Sequence, residues 1–388
     1  MRHTPLGGAR RSSKEPRATL SHPAARTRRL TDTKNAIPMR LVTTVNPTIV
    51  IGAGTYNARV RILVIGGTLF IGRETVQRLA KRGHDVTVLH RRDHHDLGPE
   101  IHNVRADRSD LTTMDRVLRE GRFDAVYDFV YDWGHGTTAS QVEAAARSCR
   151  DGLHRYVFIS SIAAYGPGLD HRESEPLVPD DHPNPYAQHK ASSERALFRM
   201  HADTGFPVTT FRPPFVHGPR QPLDREQFFW DRLRDGRPII LPDGGDAPMQ
   251  WVFVSDLAEA CVRAIEVPEA AGEAFNIAHG ERLTQRSYVE ALARVANTPA
   301  TFAAIPRATI EAAGGHAVMG NLYFGVFLDI PPHTSVIEKA PRLLGVTPTS
   351  LESALRTSFA WYETQPRRKV DYAFEDRLLV HQRDEPRT

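Results

Sequence analysis

The sequence predicts an α/β fold, a doubly wound parallel sheet with a smaller C-terminal α+β lobe. Three observations carry that expectation. From Arg61 onward, short β-branched runs alternate with longer helical stretches, and a glycine-rich turn separates the first run from the first helix. Beyond about Pro213 the texture changes to Pro and Gly clusters such as Pro242-Asp243-Gly244-Gly245 and Ile330-Pro331-Pro332. Alternation of this kind builds parallel strands, because a chain that rejoins its sheet in the same direction needs a helix-length return. A chain of 388 residues has room for two to three domains at roughly 150 residues each, enough to bury a core without staples.

In order, strands are expected over Arg61–Ile65, Asp85–Leu89, Ile101–Val104, Ala125–Val130, Arg155–Ser160 and Val208–Phe211. Between the first two, Val76, Leu79 and Ala80 fall at i, i+3 and i+4 on one helical face, and Arg82-Gly83 supplies the stop. A helix begins near Asp110, and another carries Tyr186 to Lys190. No repeat of fixed period runs through the chain, and the last 20 or so residues are charged and expected to be poorly ordered.

Apolar residues at 40% and charged residues at 25% exclude a wholly disordered, collagen-like or coiled-coil chain. No apolar run reaches the roughly 18 residues a membrane-spanning helix needs, so no membrane partner is expected. Cys149 and Cys261 are too few and too far apart for a disulfide framework or a Cys-rich zinc site, which suits a reducing cytosol and a cytoplasmic location. The net charge of +4 comes from the leader: residues 1–40 hold ten Lys/Arg against two Asp/Glu, leaving 40 basic and 44 acidic residues elsewhere. Residues 1–59 could be a disordered arm, an organelle-targeting segment or upstream sequence from a misassigned start. The last is preferred, because Val60-Arg61-Ile62 opens the first good strand and a GTG codon could initiate there.

Two glycine-rich stretches compete for a phosphate. Gly52-Ala53-Gly54 follows a β-branched run, but Asn57 stands where a third glycine belongs and another strand starts too soon for a helix. Gly66-Gly67-Thr68-Leu69-Phe70-Ile71-Gly72 closes a strand and opens a helix, so backbone N–H groups and the helix dipole can face a pyrophosphate. The bland alternative is a tight turn without a ligand. At the end of the second strand an acidic residue would hold the 2′-hydroxyl of NAD; here stand His90, Arg91 and Arg92, and two guanidinium groups suit a 2′-phosphate unless they are merely solvated. The cofactor expectation is therefore NAD or NADP, with the arginines pulling toward NADP. Asp107, after the third strand, is placed to accept from an adenine amino group, or else to cap the next helix.

Tyr186 and Lys190, four apart on a helix, share a face. A phenol is a poor acid and base at neutral pH, and a nearby ammonium favours the phenolate, making Tyr186 usable while Lys190 can also reach ribose hydroxyls. Ser160 and Ser161 end a buried-type strand at the sheet's carboxyl edge, where a hydroxyl can steady a substrate oxygen; either alone would as readily be a turn or cap residue.

These residues resemble the extended short-chain dehydrogenase/reductase family, the branch of NAD(P)-dependent sugar-nucleotide epimerases and dehydratases. The resemblance runs over about residues 61–365, through Gly66-Gly67-Thr68-x-Phe70-Ile71-Gly72, Ser160-Ser161-x-x-x-Tyr165-Gly166, Tyr186-x-x-x-Lys190 and Arg212-Pro213-Pro214-x-Val216-x-Gly218-Pro219. It continues in Trp251 to Ala258, Phe275-Asn276-Ile277, Arg342-Leu343-Leu344-Gly345 and Phe359 to Tyr362. It implies a Rossmann-like fold, catalytic Ser161, Tyr186 and Lys190, a nicotinamide beside Pro213, a nucleotide-sugar substrate, and pairing of two copies through two helices of the first lobe. Residues 61–213, with later returning segments, would bind the dinucleotide, residues 214–365 mainly the substrate, and 366–388 form a charged tail.

The chain departs from that pattern at Leu69, which replaces a glycine, at Phe129-Val130, which replaces an Ala-Ala pair, and at His217, which replaces a tyrosine. Ile162-Ala163 stands where the 4,6-dehydratases carry Asp-Glu, and elimination of water needs an acid and a base there, so dehydration is disfavoured. The expected function is an NAD(P)-dependent epimerase on a nucleotide sugar, with an NADPH-dependent carbonyl reductase of a small metabolite as the alternative. A non-catalytic dinucleotide-sensing or RNA-binding protein is the reading of another class; no nucleic-acid partner is expected, because the chain beyond the leader is acidic on balance. No metal site is expected: His90, His94 and His95 read as a solvated loop. Cys149 reads as a packed thiol, and Phe228, Phe229 and Trp230 as a core stripe or, less readily, a pocket lining.

Overall fold

The structure, a computed structural model, describes residues 59–149, 151–315 and 331–384; the leader to residue 58, with its Gly52-Ala53-Gly54 turn, lies outside them. Strand β1 (Arg61–Ile65) feeds through the glycine turn into α1 (Phe70–Lys81), followed by β2 (Asp85–His90), β3 (His102–Arg105), α2 (Leu111–Gly121), β4 (Ala125–Asp128), α3 (Ala139–Arg147) and β5 (Arg155–Ile159). A 3-10 turn at Ile162–Tyr165 and β6 (Gly168–His171) lead to α4 (Pro185–Thr204), β7 (Val208–Arg212), β8 (Phe215–His217), α5 (Glu226–Arg234) and β9 (Ile239–Pro242). Then come β10 (Pro248–Met249), β11 (Trp251–Phe253), α6 (Val254–Glu266), β12 (Glu273–Asn276), β13 (Leu283–Thr284), α7 (Gln285–Val295) and β14 (Phe302–Ile305). The last elements are α8 (Arg307–Ala312), β15 (His333–Ser335), α9 (Lys339–Leu344), α10 (Leu351–Glu363) and α11 (Ala373–Asp384).

Seven parallel strands form one sheet in the order β12-β7-β5-β4-β1-β2-β3. From β1 the chain winds outward through β2 and β3, then crosses back to β4 on the other side, so the direction of winding reverses between β1 and β4. Loops leaving the carboxyl ends of these two strands part there and leave a crevice. Both faces of the sheet are covered, which is why its strands read as continuous apolar runs. In β1 the alternation divides the core: Ile62 and Val64 join the side where α1 packs on α6, while Leu63 and Ile65 join the side of α2, α3 and α4.

All six expected strands form, with their ends within one residue of expectation except at β4. β4 stops at Asp128 instead of reaching Val130, because Phe129-Val130 turns over the glycine loop: Phe129 N still donates to Ile65 O at 3.1 Å, and Val130 lies against Gly66. Asp110 caps α2 by accepting from Thr113 N, so the capping role weighed for Asp107 belongs to Asp110.

A second core lies among α5, β9, α7, β14, α8, α10 and α11. Phe228, Phe229 and Trp230 are buried in it and do not line the crevice, which makes them a core stripe. The expectation of a poorly ordered C-terminal tail is corrected for residues 366–384. Helix α11 buries Leu378, and Glu375 accepts from Arg232 at 2.6 Å in a buried ion pair, while Arg237 pairs with Asp376 and Arg368 with Asp224. High charge signalled disorder because composition does not show that Arg368, Glu375 and Asp376 have partners.

Candidate active site

The crevice above β1 and β4 encloses about 700 Å³, a volume typical of sites for ligands of cofactor size. Gly66, Thr68, Leu69, Phe70, Ile71 and Gly72 form one wall. A Cβ on Gly72 would stand 2.3 Å from the Gly66 carbonyl oxygen, and one on Gly66, at φ +86, would stand 2.6 Å from Val130, so neither position admits a side chain. Leu69 takes extended backbone with φ −126 and needs no glycine; its side chain is exposed, and the positive φ falls on Phe70 at +43. Gly67 is packed among Val64, Val76 and Val88 and does not line the crevice. Helix α1 begins with neither a side-chain cap nor an acidic residue in its first turn, leaving amides and dipole available to an anion.

His90, Arg91, Arg92 and Asp107 line the other end of the crevice. His90 is buried and turned to Asn103, with Nε2 and Oδ1 2.6 Å apart; burial lowers its pKa. The backbone N–H of Arg92 also reaches its Nδ1 at 3.4 Å. Arg91 and Arg92 are exposed and make no ion pair among the described residues. Asp107 is exposed at the rim, where Ser109 donates to it from both N and Oγ and lowers its pKa.

At the middle of the crevice stand Ser160, Ser161, Tyr186, Lys190 and Pro213. Ser160 Oγ is buried and has no hydrogen-bond partner among the described residues. Ser161 caps the 3-10 turn by accepting from Ala163 N at 3.2 Å, and it lines the crevice together with Tyr186. Asn184 caps α4 by accepting from the N–H groups of Tyr186 and Ala187, which fixes the tyrosine in the first helical turn. Lys190 is 4% exposed and donates from Nζ to Ile159 O at 2.6 Å.

The electrostatics correct one expectation. Burial raises the Tyr186 pKa above the ordinary phenol value, and what opposes that rise is the Ser161 hydrogen bond and the nearby Arg225 guanidinium. Lys190 lies 5.9 Å from the Tyr186 ring centre, is itself moved down to about 8 by burial, and donates a hydrogen bond to the Ile159 carbonyl. The cation that favours the phenolate is therefore Arg225, which no sequence motif marks.

Three further features were not anticipated. Trp133, in the loop after β4, stacks on Tyr186 with ring centres 5.0 Å apart and planes 20° from parallel, and Tyr131 meets the same ring edge-on at 4.8 Å. A buried Arg108–Asp128 pair at 2.7 Å, with Tyr156 donating to Asp128, forms part of the wall below. The lone tryptophan between Asp132 and Gly134 was the available signal for the first; nothing in the spacing of Arg108 and Asp128 announced the second. His217 pairs with His279, Nε2 to Nε2 at 2.6 Å. Other motif residues brace the frame: Arg212 grips Glu194 and donates to the Tyr165 hydroxyl, which donates to Asn276. Cys149 is packed, its thiol pushed up to about 12 by burial.

The model of the NAD dependent epimerase/dehydratase family matches residues 62–278, and the chain belongs to that family. Its relatives include the chloroplast stem-loop binding protein of 41 kDa b of Arabidopsis thaliana, 29% identical over 253 residues, 62% of this chain and 64% of that protein, so the chain spans just under two thirds of that relative's length. Another is the 2-alkyl-3-oxoalkanoate reductase of Stenotrophomonas maltophilia (strain K279a), 28% identical over 333 residues, 76% of this chain and 97% of that one. The UDP-glucose 4-epimerase of Thermus thermophilus, solved in complex with NAD, shares the fold with a TM-score of 0.62 at 23% identity, covering 79% of this chain and 100% of that chain. The chain is an NAD(P)-dependent enzyme of the epimerase and reductase kind, with a Rossmann-like sheet. Among the described residues no helix is long and apolar enough to cross a membrane.

Proposed function

We propose that the chain oxidises or reduces a carbinol–carbonyl centre in this crevice, with Tyr186 moving the proton, Ser161 holding the oxygen and Lys190 reaching the cofactor's ribose. The observation that carries this reading is that Ser161, Tyr186 and Lys190 line one crevice with the glycine loop. The site fits a nicotinamide dinucleotide: the loop accepts no Cβ at Gly66 or Gly72, and the buried Ser160 hydroxyl is left for a ligand. Gly66 to Gly72 would hold its pyrophosphate, Arg91 and Arg92 a 2′-phosphate, Asp107 its adenine, Lys190 its ribose, and Pro213 would flank the nicotinamide. That group would supply or accept the hydride. NADP over NAD is the preference the two unpaired guanidinium groups support.

Family membership supports transient oxidation and epimerisation of a nucleotide sugar, the substrate class in the name of the Thermus neighbour. Ile162-Ala163 in the 3-10 turn offers no carboxyl for dehydration. A second reading, net reduction of a small carbonyl compound by NADPH, is favoured by a specific observation: Arg91 and Arg92, exposed and without an ion pair among the described residues, line the crevice and suit the 2′-phosphate of NADPH. Nucleic-acid binding, which the Arabidopsis relative's name suggests, would need a basic face, whereas the chain beyond residue 40 carries 40 basic and 44 acidic residues. The test begins with mass spectrometry of the dinucleotide that co-purifies. A hydride balance on nucleotide sugars and small ketones follows, with Tyr186→Phe as control. Turnover by that variant at the parent rate would remove the proposed chemistry.

A further inference from the structure

Trp133 is 71% exposed, yet it is the ring stacked on Tyr186. A large exposed aromatic costs solvation unless something covers it. Its loop is held by its own hydrogen bonds. Asp132 accepts at Oδ1 from Gly134 N and His135 N, Thr137 Oγ1 accepts from Asp132 N, and Gly136 N returns to Asp132 O at 2.7 Å. Behind the loop, Gly136 at φ +80 leaves room for the His189 ring, which a Cβ there would meet at 2.4 Å, and Tyr131 bonds His189 through its hydroxyl at 3.0 Å. The tryptophan is thus presented by a braced turn. One face of its ring lies on Tyr186, and its exposure leaves the other side to a ligand.

Pro214, Val216 and Leu223 add apolar surface to the crevice. Of the cations lining the crevice, Arg91 and Arg92 stand with His90 and Asp107 at the far end, Arg108 is locked to Asp128, Lys190 is buried and donates to the Ile159 carbonyl, and Arg225 donates to the Val216 carbonyl and lies over Phe215. No cluster of cations suited to a diphosphate stands beside Tyr186 among the described residues. We propose that Trp133 is the specificity-determining residue of this site, selecting carbonyl or carbinol substrates whose reacting carbon is flanked by a flat or alkyl apolar body and which carry no diphosphate. The proposal rests on Tyr186 as the acid/base and favours the reductase reading.

The test compares the full chain with Trp133→Ala, Trp133→Phe and Tyr186→Phe, using acetophenone, 3-oxodecanoate and UDP-glucose as probes with NADPH, read by turnover, calorimetry and tryptophan emission. Expected are quenching of the exposed tryptophan by the two ketones and not by UDP-glucose, and a five- to ten-fold rise in their KM or Kd, roughly the worth of one aromatic contact, in Trp133→Ala. kcat should change little, and Trp133→Phe should recover most of the affinity. An unchanged ketone KM or Kd in Trp133→Ala, no quenching by either ketone, or tighter binding of UDP-glucose than of the ketones overturns the proposal. The two failures are separable: Tyr186→Phe that still turns over sinks the acid/base reading whatever the emission shows, whereas loss of turnover with quenching intact leaves that reading standing and isolates the role of Trp133.

Discussion

Replacing Lys190 with methionine should abolish turnover and stabilise the protein. Lys190 is 4% exposed, makes no ion pair among the described residues, and sits under aromatic rings, its Nζ 4.9 Å from the Phe158 centre and 5.5 Å from that of Tyr131. The two carboxylates that favour its charge, Asp128 and Glu194, are already committed to Arg108 and Arg212. Burial accordingly moves it from 10.5 to about 8. Holding the charge at neutral pH therefore costs about 3 kcal/mol relative to the unfolded chain. Methionine of similar length removes that cost but leaves the Ile159 carbonyl without its donor, a loss of about 1 kcal/mol, for a net gain near 2 kcal/mol. The pH dependence has a definite sign. The unfolded chain binds more protons between about pH 8 and 10.5, so parent stability rises with pH across that window and the advantage of Lys190→Met shrinks there. Thermal unfolding of both proteins from neutral to alkaline pH checks this; a variant less stable than its parent at neutral pH, or a gap that widens with pH, would refute the reasoning. Parent turnover should fall as pH rises through about 8, where the ammonium is lost.

Gly72→Ala forces a Cβ to 2.3 Å from backbone at Gly66, so dinucleotide affinity measured by calorimetry should drop by about 100-fold, the order of a 1–3 kcal/mol overpacking penalty, while Gly280→Ala, which meets nothing within 4 Å, should leave it unchanged. Converting Arg91 and Arg92 together to alanine should remove about 2 kcal/mol of NADP binding and spare NAD, read as the ratio of the two dissociation constants. Glu375→Leu strands Arg232 in the second core and should cost about 3–5 kcal/mol in denaturant unfolding with little effect on Kd for dinucleotide, since neither residue lines the crevice. Cys149 should resist alkylation in the native protein at neutral pH, because its thiol titrates at about 12; rapid labelling before unfolding would contradict that burial.

The winding of the sheet was legible because a strand buried on both faces writes itself as an uninterrupted apolar run, and Ile62 to Ile65 does so. Tyr186, Lys190 and Ser161, the proposed catalytic trio, line one crevice for a similar reason: helical spacing and a strand end bring them to the same edge of the sheet. What was hidden depends on contacts between distant segments. Helix α11 looked like a solvated tail because charge was counted without partners, yet Arg232 and Glu375 are 143 positions apart and buried together. Arg225 gained its influence over Tyr186 from a loop path with no periodicity. Tyr165, Arg212 and Asn276, which sit in the same motifs as the catalytic residues, brace the frame with Glu194, a division of labour that only the hydrogen bonds reveal.

Proton bookkeeping extends this logic beneath the crevice. Thr349 O can only accept, so His279 Nδ1, 2.8 Å away, carries a hydrogen. Burial lowers the pKa of His279, which keeps it neutral and its Nε2 bare, so His217 must donate across the 2.6 Å contact. His217, also held neutral by burial, is then bare at Nδ1 and faces Glu226 Oε1 at 3.5 Å. A bare nitrogen opposite a carboxylate oxygen is tolerable when the carboxyl is protonated, and burial raises Glu226 to about 7. Glu226 also accepts from Gly218 N and follows Arg225 directly in the chain, so its charge state is tied to the guanidinium that acts on Tyr186. The Tyr186 phenol and the Glu226 carboxyl are pushed up while His217, His279, Lys190 and Arg225 are pushed down, so each of these groups is held nearer neutrality. The phenol's proton is then governed by the few charges that remain close to it, and that is the condition under which a ligand entering the crevice can set it.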